Sequence, residues 1–178
     1  NEYQDYYNPT ACLAGFIIRF ADKSSELYGH GCRIAKEAYE HLMREESQTD
    51  MHLLSCYNRL LEYCKEAKAE IIDIKGMEQR LRKFVSESLT KDVSLWNTGY
   101  VCKPSQYMNG KDSIFYEDNK ELADYECEFI IKSQLEDGSW NIPWSWQDYP
   151  EEWAVSKIWW KSHVIINNLR YLKGMERL

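Results

Sequence analysis

The sequence QLEDGSW at residues 134–140 lies between two segments with helical periodicity and indicates how they are joined. Asp137 and Gly138 form a pair that favours a sharp turn, because glycine adopts positive φ without a steric penalty. The side-chain amide of Gln134 can satisfy backbone groups left open at a neighbouring helix end. The indole of Trp140 can stack on that amide and close the joint. The stretch therefore predicts a helical hairpin held together by its own side chains.

Upstream of this turn, the sequence predicts a helix that begins after Asp118. Glu121, three residues on, gives the start of the helix the pattern of a capping box. Apolar residues then recur at intervals of three and four, which predicts one buried stripe. The stripe consists of Leu122, Tyr125, Phe129 and Ile130.

Downstream of the turn, the last predicted helix begins with Glu151 and Glu152, whose charges the positive end of the helix dipole stabilises. Gly174 is placed to end this helix. Its predicted buried stripe consists of Val155, Ile158, Trp159, Ser162, Ile165, Ile166, Leu169 and Leu172.

Four more helices are predicted before residue 90. The first follows Asn8-Pro9-Thr10, where a proline near the first turn favours a helix start; the second follows Ser24-Ser25, and the third is capped by Asp50. In chain order, the predicted core residues are Leu13, Phe16, Ile17 and Phe20, then Leu27, Ala35, Ala38, Tyr39 and Leu42, then Leu53, Leu54, Tyr57, Leu60, Leu61 and Cys64, and finally Met77, Leu81, Phe84, Val85 and Leu89.

Residues 91–118 have no clear helical period and form a long connection within the chain. Connections of this length are uncommon in compact domains and are often functional, so two interpretations stand: a lid or strap across a cavity, or an ordered loop packed over helix ends.

The strand-like stretch at residues 69–74 is short and is predicted as a helix end or turn. Six helices in antiparallel succession predict an all-α protein built from helical hairpins in a layered or toroidal arrangement, with a four-helix bundle plus additions as the alternative.

The composition argues against several functional classes. The chain has 22 Lys and Arg against 29 Asp and Glu, a formal net charge of −7, which disfavours a nucleic-acid partner. No stretch approaches the ~20 apolar residues of a membrane-spanning helix. No signal peptide is recognised at the start, which also lacks an initiator methionine. We therefore expect a cytoplasmic protein and a chain that continues upstream of Asn1.

The cysteines and histidines do not suggest a metal site. None of the six cysteines forms a CxxC pair, and the four histidines show neither HxxH nor HxxxH spacing. Reduced thiols on apolar helix faces are the favoured interpretation over a disulfide framework. We expect no metal and no cofactor.

The form QxxDGxW at residues 134–140 resembles the QW motif of squalene–hopene and oxidosqualene cyclases and is similar to the QxxxGGF/W turns of protein prenyltransferase β-subunits. Asn8-Pro9-Thr10-Ala11 followed by Gly15-Phe16 resembles the start of an outer helix in cyclase-type hairpins. The tryptophan-rich stretch 140–160 resembles uncharacterised bacterial proteins of this superfamily. The resemblance covers residues 118–174 and, faintly, residues 8–45.

This resemblance implies an α/α toroid, in which six hairpins form a ring with inner helices around a cavity. Three hairpins are half of such a ring, so residues 1–178 are expected to be a single domain: the C-terminal half of a longer α6/α6 barrel, or a half-ring that pairs with a second copy. The resemblance also implies an isoprenoid as the ligand. Trp and Tyr rings stabilise carbocations through their negative faces, and the candidate cavity residues are Trp96, Tyr100, Trp144, Trp146 and Trp153. The alternative is that these rings only pack hairpins together.

The catalytic motifs of the superfamily are absent from this chain, which leaves activity open. No DxDD motif supplies a general acid, since Asp112, Asp118, Asp124 and Asp148 are isolated. At the position of the prenyltransferase zinc-binding histidine the chain has Lys161, with His163 two residues out of register. A non-catalytic interaction scaffold is therefore the main alternative. A carbohydrate-active α/α barrel, with carboxylates from Glu136, Asp137, Glu151 and Glu152, is a weaker one.

Overall fold

The computed structural model describes residues 6–178, which fold into α-helices and short 3₁₀ helices without any strand in that range. The all-α prediction is confirmed. None of the helices in this range is both long and apolar enough to cross a bilayer. The chain divides into two compact units, one ending at Ser88 and the other beginning at Leu89. The helices are α1 (Tyr7–Phe20), α2 (Glu26–Arg44), α3 (Met51–Glu66), α4 (Ile74–Ser88), α5 (Lys120–Lys132) and α6 (Pro150–Gly174).

The first unit is built from α1 to α4. Helix α1 packs against both α2 and α3, while α4 packs against α3 and more lightly against α2. The predicted stripes of α3 and α4 are confirmed, because every one of their residues is buried, although the last of them, Leu89, lies just beyond the end of α4. On α2, Ala35, Ala38 and Leu42 are buried as predicted, whereas Leu27 is exposed. Residues 69–73 form a turn that leads into α4 at Ile74.

The predicted core face of α1 is wrong. Leu13, Phe16 and Phe20 are each more than half exposed, and the buried residues are Tyr7, Ala11, Ala14, Gly15 and Ile18. The small residues bring α1 so close to α3 that a Cβ on Gly15 would lie 2.9 Å from the Cα of Leu60. Close approach of two backbones requires small side chains between them, so the larger apolar residues turn outward.

The predicted cap of α3 is confirmed. The carboxylate of Asp50 accepts hydrogen bonds from the backbone N–H groups of His52 (2.9 Å) and Leu53 (2.7 Å). We expect Asp50→Ala to lower the free energy of unfolding by about 1 kcal/mol, because both donors lose their acceptor. Asp50→Asn, which keeps an acceptor oxygen, serves as the control in urea denaturation. Equal losses in the two variants would show that the acceptor oxygen at this position does not account for the loss.

In the second unit, α5 and α6 pack against each other and against a 3₁₀ helix at Pro104–Gln106. The segment predicted as a loop at 91–118 also has 3₁₀ helices at Val93–Asn97 and Glu117–Asn119. It supplies a large part of the core of this unit, as an ordered loop packed against the helices would. Its buried side chains include Trp96, Tyr107, Met108, Phe115 and Tyr116.

The capping box predicted for α5 is wrong. The helix begins at Lys120 and its cap residue Asn119 makes no capping hydrogen bond, since its amide donates to the carbonyl of Phe115 instead. The buried face is also rotated from the predicted stripe. Of that stripe only Ile130 is buried, and Tyr125 is 46% exposed. The residues that face the core are Ala123, Glu126, Cys127 and Ile130.

The predicted stripe of α6 is mostly solvent-exposed, and Leu172 alone of its eight residues is buried. The helix instead turns Trp153, Trp160 and Tyr171 toward its own unit, with Tyr171 fully buried. The predicted end of the helix at Gly174 is confirmed.

Candidate functional site

The turn at residues 134–140 is closed by its own backbone. Gly138 has φ +79°, the left-handed conformation that favours glycine. The N–H of Leu135 donates to the carbonyl of Ser139 (2.8 Å), and the N–H of Gly138 donates to the carbonyl of Leu135 (2.9 Å). The amide of Gln134 donates to the carbonyl of Gly138 (3.0 Å). The amide thus stabilises its own turn, whereas the sequence led us to expect a bond to a neighbouring helix end.

The indole of Trp140, rather than the amide of Gln134, donates a hydrogen bond to a carbonyl at the helix end. The ring is 4% exposed, and its Nε1 donates to the carbonyl of Ile130 (2.8 Å) in the last turn of α5. Carbonyls in the last turn of a helix have no partner within the helix. Trp140 therefore both fills the space beside α5 and caps it.

Asp137 connects the turn to α6. Its carboxylate accepts hydrogen bonds from the hydroxyl and the backbone N–H of Ser139 and from Nζ of Lys161 (3.1 Å). These donors, led by the Ser139 hydroxyl, lower the pKa of Asp137 to about 2. The turn is thus anchored to α5 by an indole and to α6 by an ion pair.

A group of five aromatic rings, here called the Trp144 cluster, lies in the same unit. Trp144 packs against Trp153 (ring centroids 4.9 Å apart), against Trp160 (5.0 Å) and against Tyr100 (6.0 Å). Trp146 packs against Trp153 (5.5 Å). The rings meet tilted or edge to face, the geometries that the aromatic quadrupole favours.

The local sequence explains this arrangement. Trp153 and Trp160 are one heptad apart and therefore project from the same face of α6. The segment between the turn and α6 then lays Trp144 across both of them. Tyr100 is 61% exposed and Trp146 is 38% exposed, while the other three rings are half-buried. The cluster is thus a packed aromatic surface with an accessible edge.

Four of the five predicted cavity aromatics belong to this cluster, and the fifth does not. Trp96 is 1% exposed, donates from Nε1 to the carbonyl of Thr90 (3.0 Å) and packs edge to face against Tyr125 and Phe129. It is a core residue. Trp160 was missed as a member of the cluster, although its spacing from Trp153 was the signal that identifies it.

Glu126 is a buried acid that the sequence analysis missed. Its carboxylate accepts hydrogen bonds from the backbone N–H (2.7 Å) and the hydroxyl (2.6 Å) of Ser105, at the start of the 3₁₀ helix Pro104–Gln106. Burial raises its pKa, an effect that the Ser105 donors and the nearby charge of Lys103 oppose. The only sequence signal was its position between Ala123 and Ile130 on the face of α5 that is buried.

The remaining candidate polar residues are exposed or paired with other side chains. Glu136, Glu151 and Glu152 are exposed, and Asp137 is paired with Lys161. His163 accepts or donates a hydrogen bond with Asn167 and packs against Trp160. Within residues 6–178, no group of three or more His, Cys, Asp or Glu side chains is arranged to hold a metal ion.

A cleft of about 400 Å³ lies along α5, and its lining includes Tyr125, Phe129, Lys132 and Asn141. The cleft is open to solvent and has a mixed polar and apolar lining, unlike the enclosed apolar pockets that hold most small hydrophobic ligands. The exposed edge of the Trp144 cluster is therefore the better candidate site in this unit.

Comparison of the chain with protein-family models, with curated proteins and with solved structures found no match.

Proposed function

We propose that this chain is part of an α/α toroid related to the terpene cyclases and protein prenyltransferases, and that it binds an apolar ligand of the isoprenoid class along the Trp144 cluster. The observation that carries the proposal is the accessible edge of this cluster, where Tyr100 and Trp146 expose ring surface beside Trp144. Aromatic rings provide large apolar contact areas, and their faces attract electron-poor centres. The proposed role is binding, and no step of catalysis is assigned to the described residues.

The turn at 134–140 supports the toroid part of this proposal. It joins two helices, α5 and α6, and its side chains attach to both through the Trp140 indole and the Asp137–Lys161 ion pair. A toroid of hairpins requires such joints between consecutive helices.

The test is a binding titration of the full chain with farnesol and geranylgeraniol, followed by intrinsic tryptophan fluorescence and calorimetry. Trp144→Ala is expected to weaken binding about tenfold, since loss of the apolar contact area of the ring costs about 1–2 kcal/mol. Tyr100→Ala should weaken it by a smaller factor. Circular dichroism spectra must first show that each variant is folded.

The chain offers a matched control for this experiment. Tyr149 is 61% exposed, the same fraction as Tyr100, but makes none of the ring contacts of the Trp144 cluster. Tyr149→Ala should leave the affinity unchanged. Equal effects of the two tyrosine variants, or no saturable binding of either alcohol, would contradict the proposal. Saturable binding of oligosaccharides in place of the alcohols would favour the carbohydrate alternative.

A non-catalytic interaction scaffold is the second candidate function. The observation that favours it is the exposed apolar face of α6, where Trp159 is 78% exposed and Ile158 is 67% exposed. Large apolar side chains concentrated on one face of a helix mark a surface that another protein covers.

A further inference from the structure

The outward face of α6 has the spacing of a coiled-coil seam. Its exposed positions are separated by four, three, four and three residues, which is the average period of 3.5 that keeps one seam facing a partner helix. The face is exposed along the helix, with exposed fractions of 65% at Val155, 78% at Trp159, 56% at Ile166 and 41% at Leu169. The seam consists of Val155, Trp159, Ser162, Ile166 and Leu169.

The opposite face of α6 is already occupied. Trp153 and Trp160 contact Trp144, and Tyr171 is buried with its hydroxyl bonded to the carbonyl of Ala123 (3.1 Å). The helix is thereby fixed to its unit in an orientation that presents the seam to solvent. Rotation of the helix cannot hide the seam without removing three large rings from their contacts.

The charges at the two ends of the seam are opposite. Glu151 and Glu152 lie in the first turn of α6, and Arg170 and Lys173 lie in the last turns. All four side chains are exposed, and none of them makes an ion pair within residues 6–178. A second α6 helix that runs antiparallel along the seam would therefore bring opposite charges together at both ends.

We propose that the seam is an interface with a second copy of this chain, in which two α6 helices pair antiparallel about a two-fold axis near Ser162. Val155 and Leu169 are equally far from Ser162, so each Val155 faces the other copy's Leu169. Trp159 and Ile166 are nearly equidistant and face each other in the same way. The small side chain of Ser162 leaves room for the helices to cross between the two tryptophans.

The charged residues at the ends of the seam are compatible with the same two-fold axis. Glu151 and Lys173 are equally far from Ser162 and face each other across the pair. Glu152 and Arg170 lie on the same flank of the seam at a spacing of five helical turns, and like flanks face each other when helices are antiparallel. Antiparallel helix dipoles also attract. Such an isologous contact is closed, and it needs no partner other than the chain itself.

The first test is the oligomeric state of the full chain by sedimentation velocity over a range of concentrations. A dimer that dissociates on dilution is expected. Ile166→Glu should weaken the dimer by at least about tenfold, because it places a charge in the apolar seam. The control is Asn167→Glu, which adds the same charge at the next residue, outside the seam, and should leave the dimer unchanged. A monomeric wild-type chain, or equal effects of the two variants, would overturn the proposal and leave the seam to a different protein.

The second test asks whether the two α6 helices run antiparallel. The double variants Glu151→Lys/Glu152→Lys and Arg170→Glu/Lys173→Glu should each self-associate more weakly than the wild type, because like charges then meet at both ends of the pair. Mixed together, the two variants should form a heterodimer, since opposite charges again face each other at both ends. Mass spectrometry of the crosslinked mixture separates the species by mass. Double variants that self-associate as strongly as the wild type would exclude the antiparallel arrangement, because a parallel pair already brings like charges together in the wild type.

Discussion

Replacement of Trp140 by alanine is expected to lower the free energy of unfolding of the second unit by about 3–5 kcal/mol. The ring is 4% exposed, so its removal leaves a cavity beside α5. The same change deprives the Ile130 carbonyl of its indole donor, at the end of the helix. Urea denaturation followed by circular dichroism measures the loss in the transition that belongs to this unit.

Trp140→Phe separates the two contributions. Phenylalanine keeps most of the apolar contact but has no N–H group, so the expected loss is about 1–2 kcal/mol. The matched control is Trp159→Ala, which removes the same residue type from a position that is 78% exposed. Measured at high dilution, where pairing through α6 contributes little, this control should change stability by less than about 0.5 kcal/mol. Similar losses in Trp140→Ala and Trp159→Ala would refute the role assigned to the indole.

The sequence correctly predicted the buried face of those helices in which one face carries all the large apolar residues. Helices α3 and α4 are of this kind, and each residue of their predicted stripes is buried. The cap at Asp50 was also predictable, because it depends on residues only two and three positions away. Local interactions of this kind are contained in the sequence pattern itself.

The buried faces of α1 and α6 were mispredicted because the spacing of apolar residues does not specify which element packs against them. On α1, Ala14 and Gly15 form a second face that admits α3 at close range, and this face displaces Phe16 from the core. On α6, the stripe that includes Trp159 and Ile166 is exposed, while three large rings spaced seven and eleven residues apart occupy the inner face. Periodicity at three and four residues therefore identified an apolar face in both helices but not its partner.

The candidate site was predictable in part, because some of its residues are close together in the sequence. Trp144, Trp146 and Trp153 are close in sequence, so their proximity follows from a short connection into a helix. Trp96 was placed with them only because it is a tryptophan. The contact between Glu126 and Ser105 spans 21 positions and has no local signature, so it emerges only from the fold.

Replacement of Glu126 by alanine is the second change with a large expected effect, a loss of about 2–4 kcal/mol. The alanine removes the acceptor for both Ser105 donors and leaves the backbone N–H of Ser105 unpaired beside a cavity. Glu126→Gln should be much milder. Its amide oxygen accepts from the Ser105 N–H, and its amide NH₂ group donates to the hydroxyl of Ser105.

Comparison of the wild type with Glu126→Gln also isolates the titration of the buried acid. Burial raises the pKa of Glu126 above the 4.5 of an ordinary glutamate, so the folded state holds the proton more tightly than the unfolded chain. This contribution to stability is fully present below pH 4.5 and is lost as the pH rises through the folded-state pKa. The wild type should therefore lose stability relative to Glu126→Gln as the pH increases from acid to neutral. Glu121→Gln, at an exposed position of the same helix, controls for the loss of one charge. A pH-independent difference between the wild type and Glu126→Gln would mean that burial does not govern the titration of this carboxyl.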